Sequence, residues 1–227
     1  RDSSTSRGLG DVYKRQSPDS DDSTWRILSL PHDWSIEGDF SLDNPSTPGG
    51  GALPGGIGWY RKTFTLPETD RDKVIYVDFD GVYRNSEVWI NGHSLGFRPN
   101  GYVSFRYDLT PYLRYGSQPN VIAVKADNSE QPNSRWYSGS GIYRNVWLVK
   151  VNPVHVDNWG TFVHDMKISS EEATFALEVR IRNSSEADRE AEVSTSIYDD
   201  RNKVVTASVT TLLRVPVSYT HLRAHET

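Results

Sequence analysis

The dipeptide Asn91-Gly92 constrains the fold more than any other feature of this sequence. It lies between two short strand-like segments, Val88–Ile90 and Ser94–Gly96. Asn-Gly readily adopts the two positive φ angles of a type I′ turn, whose twist matches that of antiparallel strands. The sequence therefore predicts a β-hairpin at this point of the chain.

Segments of the same kind recur along the first part of the chain, with turn residues between them. Each is short and rich in β-branched and aromatic side chains: Trp59–Leu66, Val74–Phe79, Ser86–Ile90, Val103–Leu109, Val121–Ala126 and Asn145–Lys150. In the fourth of these, Phe105, Tyr107 and Leu109 alternate with polar residues, which is the pattern of a half-buried strand. A single helical turn is predicted next, with Thr110 as its N-cap and Pro111 as its first helical residue. This spacing predicts an all-β domain, either a sandwich or a barrel.

The aromatic content of the chain changes near Val151. All seven Trp lie between Trp25 and Trp159, and residues 20–152 contain far more aromatic side chains than residues 153–214. Such a shift in composition is expected at a domain boundary. The sequence therefore predicts one domain over residues 20–152 and a second over residues 153–214.

The second predicted domain has the alternation of an antiparallel sandwich. Apolar and polar side chains alternate from Phe175 to Arg182, and Asn183–Ser185 then turns the chain. About four strands fit between Trp159 and Leu213, whereas an immunoglobulin-like sandwich has about seven. The sequence therefore predicts an incomplete immunoglobulin-like sandwich.

Both ends of the chain differ from the segments between them. Arg1–Gln16 has neither the apolar stretch of a signal peptide nor a strand or helix period. Val215–Thr227 breaks the preceding strand pattern and stops without a turn or cap. We expect residues 1–19 to be disordered or adapter-derived and residues 215–227 to be an adapter-derived tail, with ordinary frayed termini as the alternative. The sequence does not determine the cellular compartment of the protein, and a periplasmic or secreted location is compatible with it.

The charge and residue content exclude several classes of function. The 25 Lys and Arg against 30 Asp and Glu give a formal net charge of −5, which lacks the basic face of a nucleic-acid-binding protein. The chain has no Cys, and among its His only His221 and His225 share helical spacing, so no metal or other cofactor is predicted. No apolar run approaches the roughly 18 residues of a membrane span. We therefore expect neither a nucleic-acid nor a membrane partner.

A loop of polar and aromatic residues is the strongest candidate for a binding site. Sugar-binding sites place aromatic rings against the apolar faces of a pyranose and use Arg and Asn to bind its hydroxyls. We therefore predict four substrate-binding residues on this loop: Asn133, Arg135, Trp136 and Tyr137. The same loop is equally compatible with a structural corner.

The segment Pro31–Trp34 contains a His-Asp pair of the kind that forms catalytic dyads. The sequence places no nucleophile beside this pair. We therefore interpret the segment as a polar loop that is closed over by Trp34. Carboxylates are plentiful elsewhere, but a glycosidase pair is defined by convergence in space and cannot be assigned by counting.

Six motifs of this chain occur together in a known family. They are LPHDWSIEG (30–38), GGIGWYRKTFTLP (55–67), VYRNSEVWINGHSLG (82–96), DLT (108–110), NVIAV (120–124) and RWYSGSGIYRNVWL (135–148). In combination they resemble the N-terminal region of glycoside hydrolase family 2, the β-galactosidase-like group, over about residues 24–213. The resemblance implies an all-β chain with a jelly-roll sugar-binding domain followed by the first half of an immunoglobulin-like domain.

The resemblance also implies what this chain does. In the family a (β/α)₈ barrel follows, and two Glu residues in it perform retaining hydrolysis. The chain is then an inactive N-terminal fragment of a β-glycosidase, most like a β-galactosidase. Its expected partners are carbohydrate and its own missing barrel, and the full enzyme could form a homo-oligomer. Several members carry an acidic residue on the rim loop, where this chain has Asn133 and Arg135. The alternatives are a stand-alone carbohydrate-binding module and a scaffold domain for protein association.

Overall fold

The computed structural model describes residues 14–171, 173–205, 209–217 and 220–226, which form mainly antiparallel strands and loops. The strands are β1 Gly56–Phe64, β2 Val74–Phe79, β3 Ser86–Ile90, β4 His93–Arg98, β5 Phe105–Asp108, β6 Asn120–Asn128, β7 Val146–Val151, β8 Val154–Ile168, β9 Ala173–Asn183, β10 Arg189–Thr195, β11 Val209–Val215 and β12 Thr220–Glu226. Short 3₁₀ helices lie at Ser35–Glu37, Pro48–Gly50, Glu68–Asp70 and Thr110–Tyr112. Contacts divide the chain into two units. The first contains the residues up to Arg71 and Ile75–Lys150, and the second contains Asp72–Val74 and the residues from Val151 onward.

The first unit is a sandwich of two antiparallel sheets. One sheet has the strand order β1-β6-β3-β4 and the other has the order β5-β2-β7. The chain therefore crosses between the sheets after most strands, as it does in a jelly roll. Phe79 of β2 stacks on Phe105 of β5 with their ring centroids 4.9 Å apart, and the fully buried Val88 and Ile90 of β3 belong to the same core. The predicted all-β class is confirmed.

The hairpin predicted from the Asn-Gly pair is confirmed. Asn91 and Gly92 have φ angles of 50° and 84° and join β3 to β4. A register shift between Val88 and Trp89 produces a β-bulge in this pair of strands. Asn91 is only 8% exposed, and its Oδ1 accepts the Val121 N–H at 2.9 Å. The turn is therefore tied to β6 as well as to its own two strands.

The half-buried strand is also confirmed, but the helical cap after it is wrong. Phe105, Tyr107 and Leu109 are buried, as their alternation with polar residues predicts. The helical turn spans Thr110–Tyr112 and its N-cap is Leu109. The Thr110 hydroxyl instead accepts the backbone N–H of Ile75 at 2.9 Å. A contact with β2 thus takes the side chain that the sequence assigns to capping.

The outer face of the β1-β6-β3-β4 sheet carries Arg61, whose side chain is only 4% exposed. Its guanidinium donates to Asp22 Oδ2 at 2.9 Å and to the carbonyl oxygens of Arg15 at 2.6 Å and Ser17 at 2.9 Å. A buried guanidinium needs acceptors for its donors, and residues 14–22 supply them. This segment overlaps the N-terminal residues that we expect to be disordered or adapter-derived, and their origin stays a prediction.

The second unit contains two antiparallel sheets, with strand orders β12-β9-β8 and β10-β11. Leu177, Val179 and Ile181 of β9 are buried together with Val215 of β11, as the alternation predicts. Thr220–Glu226 pairs with β9 and Val215 is the last residue of β11, and the adapter origin of residues 215–227 stays a prediction. Pairing with β12 covers an edge of β9 that would otherwise be unpaired.

Candidate functional site

The loop between β6 and β7, residues 129–145, carries all four candidate binding residues. It has no strand or helix, and Gly141 forms an isolated bridge with Tyr83. Gly139 and Gly141 have φ angles of 74° and 117°, which favour glycine. Because β1 and β6 are antiparallel and pair Gly56 with Asn128, the segment before β1 emerges at the same edge of the sheet as this loop. The loop is therefore shaped by side chains from that segment and from β6.

Asn128, the last residue of β6, holds the loop from inside the sandwich. It is only 2% exposed. Its Nδ2 donates to Gly139 O at 3.0 Å and to Ser140 Oγ at 2.8 Å. Its Oδ1 accepts from Gln131 Nε2 at 2.8 Å and from Asn133 Nδ2 at 2.7 Å. All four hydrogen-bonding positions of this amide are thus used, and they join the two halves of the loop.

Asp33 holds the same loop from the segment before β1. Its Oδ1 accepts the N–H groups of Ser140 at 2.8 Å and Ser35 at 2.9 Å. Its Oδ2 accepts the hydroxyl of Tyr137, and the backbone N–H of Trp34 donates to Ser140 O at 3.1 Å. The carboxylate therefore bonds to the loop rather than to its histidine neighbour, which supports the interpretation of this segment as a polar loop.

Trp34 closes over the glycines that line this edge. A Cβ on Gly58 would lie 2.4 Å from the Trp34 ring, and a Cβ on Gly141 would lie 3.0 Å from it. The indole Nε1 donates to Gly55 O at 3.4 Å. Only glycine allows the ring to approach both backbones so closely, and the ring in turn fixes the loop against β1.

His32 links a half-buried tyrosine to two exposed charged groups. Its Nδ1 lies 2.8 Å from Tyr60 Oη, and its Nε2 lies 2.9 Å from Arg26 Nη2 and 3.2 Å from Glu37 Oε1. Tyr60 Oη also accepts the N–H of Ile142 at 3.4 Å. Burial raises the pKa of Tyr60, and the hydrogen bond from Arg26 lowers the pKa of Glu37. Tyr60 is therefore neutral and Glu37 ionised around neutral pH.

Asn133, one of the four predicted residues, points into the loop. Its Nδ2 donates to Asn128 Oδ1 and to Glu130 O at 3.2 Å, and its Oδ1 accepts the hydroxyl of Tyr83 at 3.3 Å. These bonds hold the start of the loop. Contact of Asn133 with a sugar stays a prediction.

The other three predicted residues lie at the surface. Arg135 is exposed and makes no hydrogen bond or ion pair within the described part of the chain. Trp136 is 61% exposed and donates its Nε1–H to Tyr102 Oη at 3.1 Å. Tyr137 is 43% exposed, and burial followed by its hydrogen bond to Asp33 raises its pKa. The loop thus brings a guanidinium, an indole and a phenol together at the surface.

Tyr102, which sequence reasoning missed, extends this surface. Tyr102 is 52% exposed and accepts the hydrogen bond from Trp136. Its ring lies edge-on to Tyr83, with the centroids 5.3 Å apart. The available signal was the turn-forming dipeptide Asn100-Gly101 directly before Tyr102, because such dipeptides place the next residue at a loop tip.

The chemistry of this site is that of recognition by rings and hydrogen bonds. Within the described ranges, no three His, Cys, Asp or Glu residues are grouped so that they could hold a metal ion, and no helix is long and apolar enough to cross a membrane. Exposed indole, phenol and guanidinium groups on a loop fixed by buried polar side chains suit the apolar faces and hydroxyls of a sugar. The fold is a β-sandwich, and this loop presents groups of the kind that carbohydrate-binding sandwiches use.

Comparison with known proteins identifies the family. Residues 39–152 match the domain described as "Glycosyl hydrolases family 2, sugar binding domain", and the chain belongs to this family. It is 55% identical over 197 residues to "Beta-galactosidase BoGH2A" of Bacteroides ovatus, and 47% identical over 162 residues to a "Putative beta-glucuronidase" of Formosa agariphila. The crystal structure of a family 2 member from Bacteroides cellulosilyticus superposes with a TM-score of 0.87 at 35% identity.

These matches cover most of this chain and a minor part of each relative. The alignments include 87% of the chain and 23% of the B. ovatus protein, and 71% of the chain and 16% of the F. agariphila protein. The superposition covers 93% of the chain and 28% of the B. cellulosilyticus structure. The chain therefore spans less than a third of the length of each of these proteins.

Proposed function

We propose that this chain is the N-terminal, non-catalytic part of a retaining β-glycosidase that hydrolyses O-glycosyl bonds, of the β-galactosidase type. The support is its 55% identity to a β-galactosidase of which it spans 23%. Retaining glycosidases use two carboxyl groups about 5 Å apart, and we infer that this pair belongs to a barrel outside the chain. The role of the chain is then to bind carbohydrate and to pack with that barrel.

We infer that Arg135, Trp136 and Tyr137 contact the sugar, with Asn133 shaping the loop beside them. The observation that carries this inference is the 61% exposure of Trp136 on a loop that Asn128 and Asp33 hold in place. An exposed aromatic ring on a fixed loop loses little conformational entropy when a pyranose covers it.

A β-glucuronide is the second candidate substrate, and a specific observation favours it. The exposed Arg135 makes no ion pair within the described residues, and a guanidinium binds a carboxylate through two parallel hydrogen bonds. The carboxylate of a glucuronide would supply that partner, whereas a galactoside would offer only hydroxyls. The higher identity to the β-galactosidase than to the putative β-glucuronidase favours the galactoside.

Titration of the 227-residue chain with galactose or glucuronic acid tests both assignments. We expect the indole N–H resonance of Trp136 to shift with the sugar in ¹⁵N NMR spectra. Trp147 is the matched control, because it is 54% exposed and donates its Nε1–H to Asp80 at 3.1 Å, but it lies on β7. Trp136→Ala should weaken binding about tenfold or more, which is about 1.4 kcal/mol, and Trp147→Ala should not.

The outcomes of this titration separate the proposals. Preference for galactose supports the galactosidase assignment. Preference for glucuronic acid that disappears in Arg135→Ala supports the glucuronidase assignment. Equal shifts at Trp136 and Trp147, or none at either, would contradict a sugar site on this loop.

Hydrolysis is the complementary test. We expect the purified chain to show no turnover of chromogenic β-galactosides, because the carboxyl pair lies elsewhere. Measurable turnover that is retained after purification to homogeneity would contradict the non-catalytic role. Tight sugar binding without turnover, in a gene that encodes no barrel, would instead favour a stand-alone carbohydrate-binding module.

A further inference from the structure

The sugar-contacting loop cannot set its own shape. Residues 129–145 form no strand or helix, so no backbone ladder determines where Arg135 and Trp136 lie. A loop of this length samples many conformations unless other segments bind it. The position of the exposed side chains must therefore come from bonds between the loop and the body of the first unit.

Two of the side chains that anchor this loop, Asn128 and Asp33, act at different places. Asn128 binds the backbone of Gly139 and the hydroxyl of Ser140, beyond the aromatic pair. Asp33 binds the Ser140 N–H through Oδ1 and, through Oδ2, the hydroxyl of Tyr137. Tyr137 is adjacent in sequence to Trp136, so of these two anchors Asp33 is the nearer to the exposed indole, whose Nε1–H also donates to Tyr102 Oη at 3.1 Å.

The geometry around Asp33 leaves little freedom. The carboxylate also accepts the N–H of Ser35 at 2.9 Å, which fixes its rotamer. A Cβ on Gly139 would lie 2.8 Å from Oδ2, and Gly139 has a φ of 74°. The loop can approach this close only because position 139 is glycine. The carboxylate, the glycine and the phenol therefore form one interlocked contact.

We propose that Asp33 is a positioning residue for sugar binding, which fixes Tyr137 and through it the surface formed by Arg135 and Trp136. Asp33 does not contact the sugar. Its carboxylate accepts three hydrogen bonds at once, from the N–H groups of Ser140 and Ser35 and from the hydroxyl of Tyr137. The proposal rests on the function proposed above for the loop, but its structural part can be measured without any sugar.

Asp33→Ala and Asp33→Asn in the 227-residue chain test this role. Alanine removes all three acceptors. Asparagine keeps one carbonyl oxygen for the N–H groups of Ser140 and Ser35, so its effect should be intermediate. Asp108→Asn is the matched control, because Asp108 accepts the N–H of Thr110 at 2.9 Å in the same i to i+2 arrangement, at the end of β5.

We expect three changes in Asp33→Ala. Amide exchange at Ser140 should accelerate about tenfold or more, as loss of a charge-assisted hydrogen bond implies. The Trp136 indole resonance should shift or broaden while that of Trp147 does not. Sugar affinity should fall about tenfold, with the amide exchange of core strands β3 and β6 unchanged. Asp108→Asn should change none of these.

Tyr137→Phe provides a second variant that keeps Asp33 and its backbone bonds. It should reproduce the shift of the Trp136 indole resonance. In a titration of the tyrosine hydroxyls followed by ultraviolet absorbance, the difference between this variant and the unchanged chain gives the contribution of Tyr137. Loss of the Asp33 charge should lower the pKa of Tyr137, because that charge and its hydrogen bond both raise it. Unfolding would also lower this pKa, because burial is the largest cause of its rise. The titration is therefore compared only between variants whose amide exchange in β3 and β6 is unchanged, and Asp33→Asn and Tyr137→Phe carry the test if Asp33→Ala folds poorly.

The results distinguish the positioning role from the sugar assignment. Unchanged Trp136 and Ser140 signals in both Asp33 variants would overturn the positioning role. Changed signals in a chain that binds no sugar would support the positioning of the loop and overturn the proposed function. Changed signals with unchanged sugar affinity would overturn the link between the two.

Discussion

Replacement of Asn128 by alanine should cost the first unit about 3 kcal/mol of unfolding free energy. The change leaves Gly139 O and Ser140 Oγ without the donor that binds them at 3.0 Å and 2.8 Å. Both residues are buried, and Ser140 is 0% exposed. An unpaired buried polar group costs about 1–3 kcal/mol, so two such groups together cost about 2–6 kcal/mol. Ser140 Oγ keeps its contact with Ser35 Oγ at 2.7 Å, which favours the lower half of that range.

Urea denaturation followed by tryptophan fluorescence measures this loss. All Trp except Trp159 lie in the first unit, so the signal reports mainly on the unit that contains Asn128. With a slope of about 2 kcal/mol per molar urea, a loss of about 3 kcal/mol lowers the midpoint by about 1.5 M.

The control is Asn133→Ala, which breaks a bond to the same Asn128 Oδ1 from a half-buried side chain. Water can replace that partner, so the loss should stay below about 1 kcal/mol. Equal midpoint shifts in the two variants would refute the reasoning, because they would show that burial of the orphaned groups does not set the cost.

Three further predictions concern packing, pH and folding. Gly58→Ala should destabilise the first unit by about 2 kcal/mol or more in the same urea assay, since its Cβ would lie 2.4 Å from the Trp34 ring. Gly49→Ala should be close to neutral, because the nearest atom to its Cβ would be 3.8 Å away. Burial raises the pKa of Tyr60, so its contribution to stability is complete below about pH 10 and is lost as the pH rises further. In thermal melts above about pH 10, the melting temperature of a Tyr60→Phe chain should therefore fall less steeply with pH than that of the unchanged chain. Identical dependence of the two melting temperatures on pH would contradict this. Amide exchange should be faster in residues 153–214 than in residues 20–152, because the buried cluster of the second unit within the described ranges is small; strong protection throughout the second unit would contradict it.

The sequence predicted the features that local chemistry determines. The Asn91-Gly92 turn follows from the φ angles of two residues, and the burial of Phe105 and Tyr107 follows from alternation along a single strand. The capping role of Thr110 was wrong because its hydroxyl binds Ile75, which lies 35 residues away in sequence. The prediction of a cap considers only neighbours in sequence, whereas here a backbone group of another strand binds the same hydroxyl.

The site could be predicted only in part for the same reason. Sequence composition selected the loop that carries Trp136 and Tyr137, because adjacent aromatic and polar residues are visible without a structure. The role of Asp33 was not visible, since its bonds to Tyr137 and Ser140 join residues 104 and 107 positions apart. Tyr102 was missed because its relation to Trp136 also depends on two separate loops meeting at one edge.

Strand pairing explains why these distant residues meet. Gly56 at the start of β1 pairs with Asn128 at the end of β6, so the chain before β1 and the chain after β6 leave the sheet side by side. Asp33 belongs to the first of these segments and Trp136 to the second. The rigidity of the exposed loop is therefore a property of the sandwich edge rather than of the loop sequence. A substitution that disturbs the β1-β6 register should then weaken the proposed sugar binding, even though it changes none of the residues that we infer to contact the sugar.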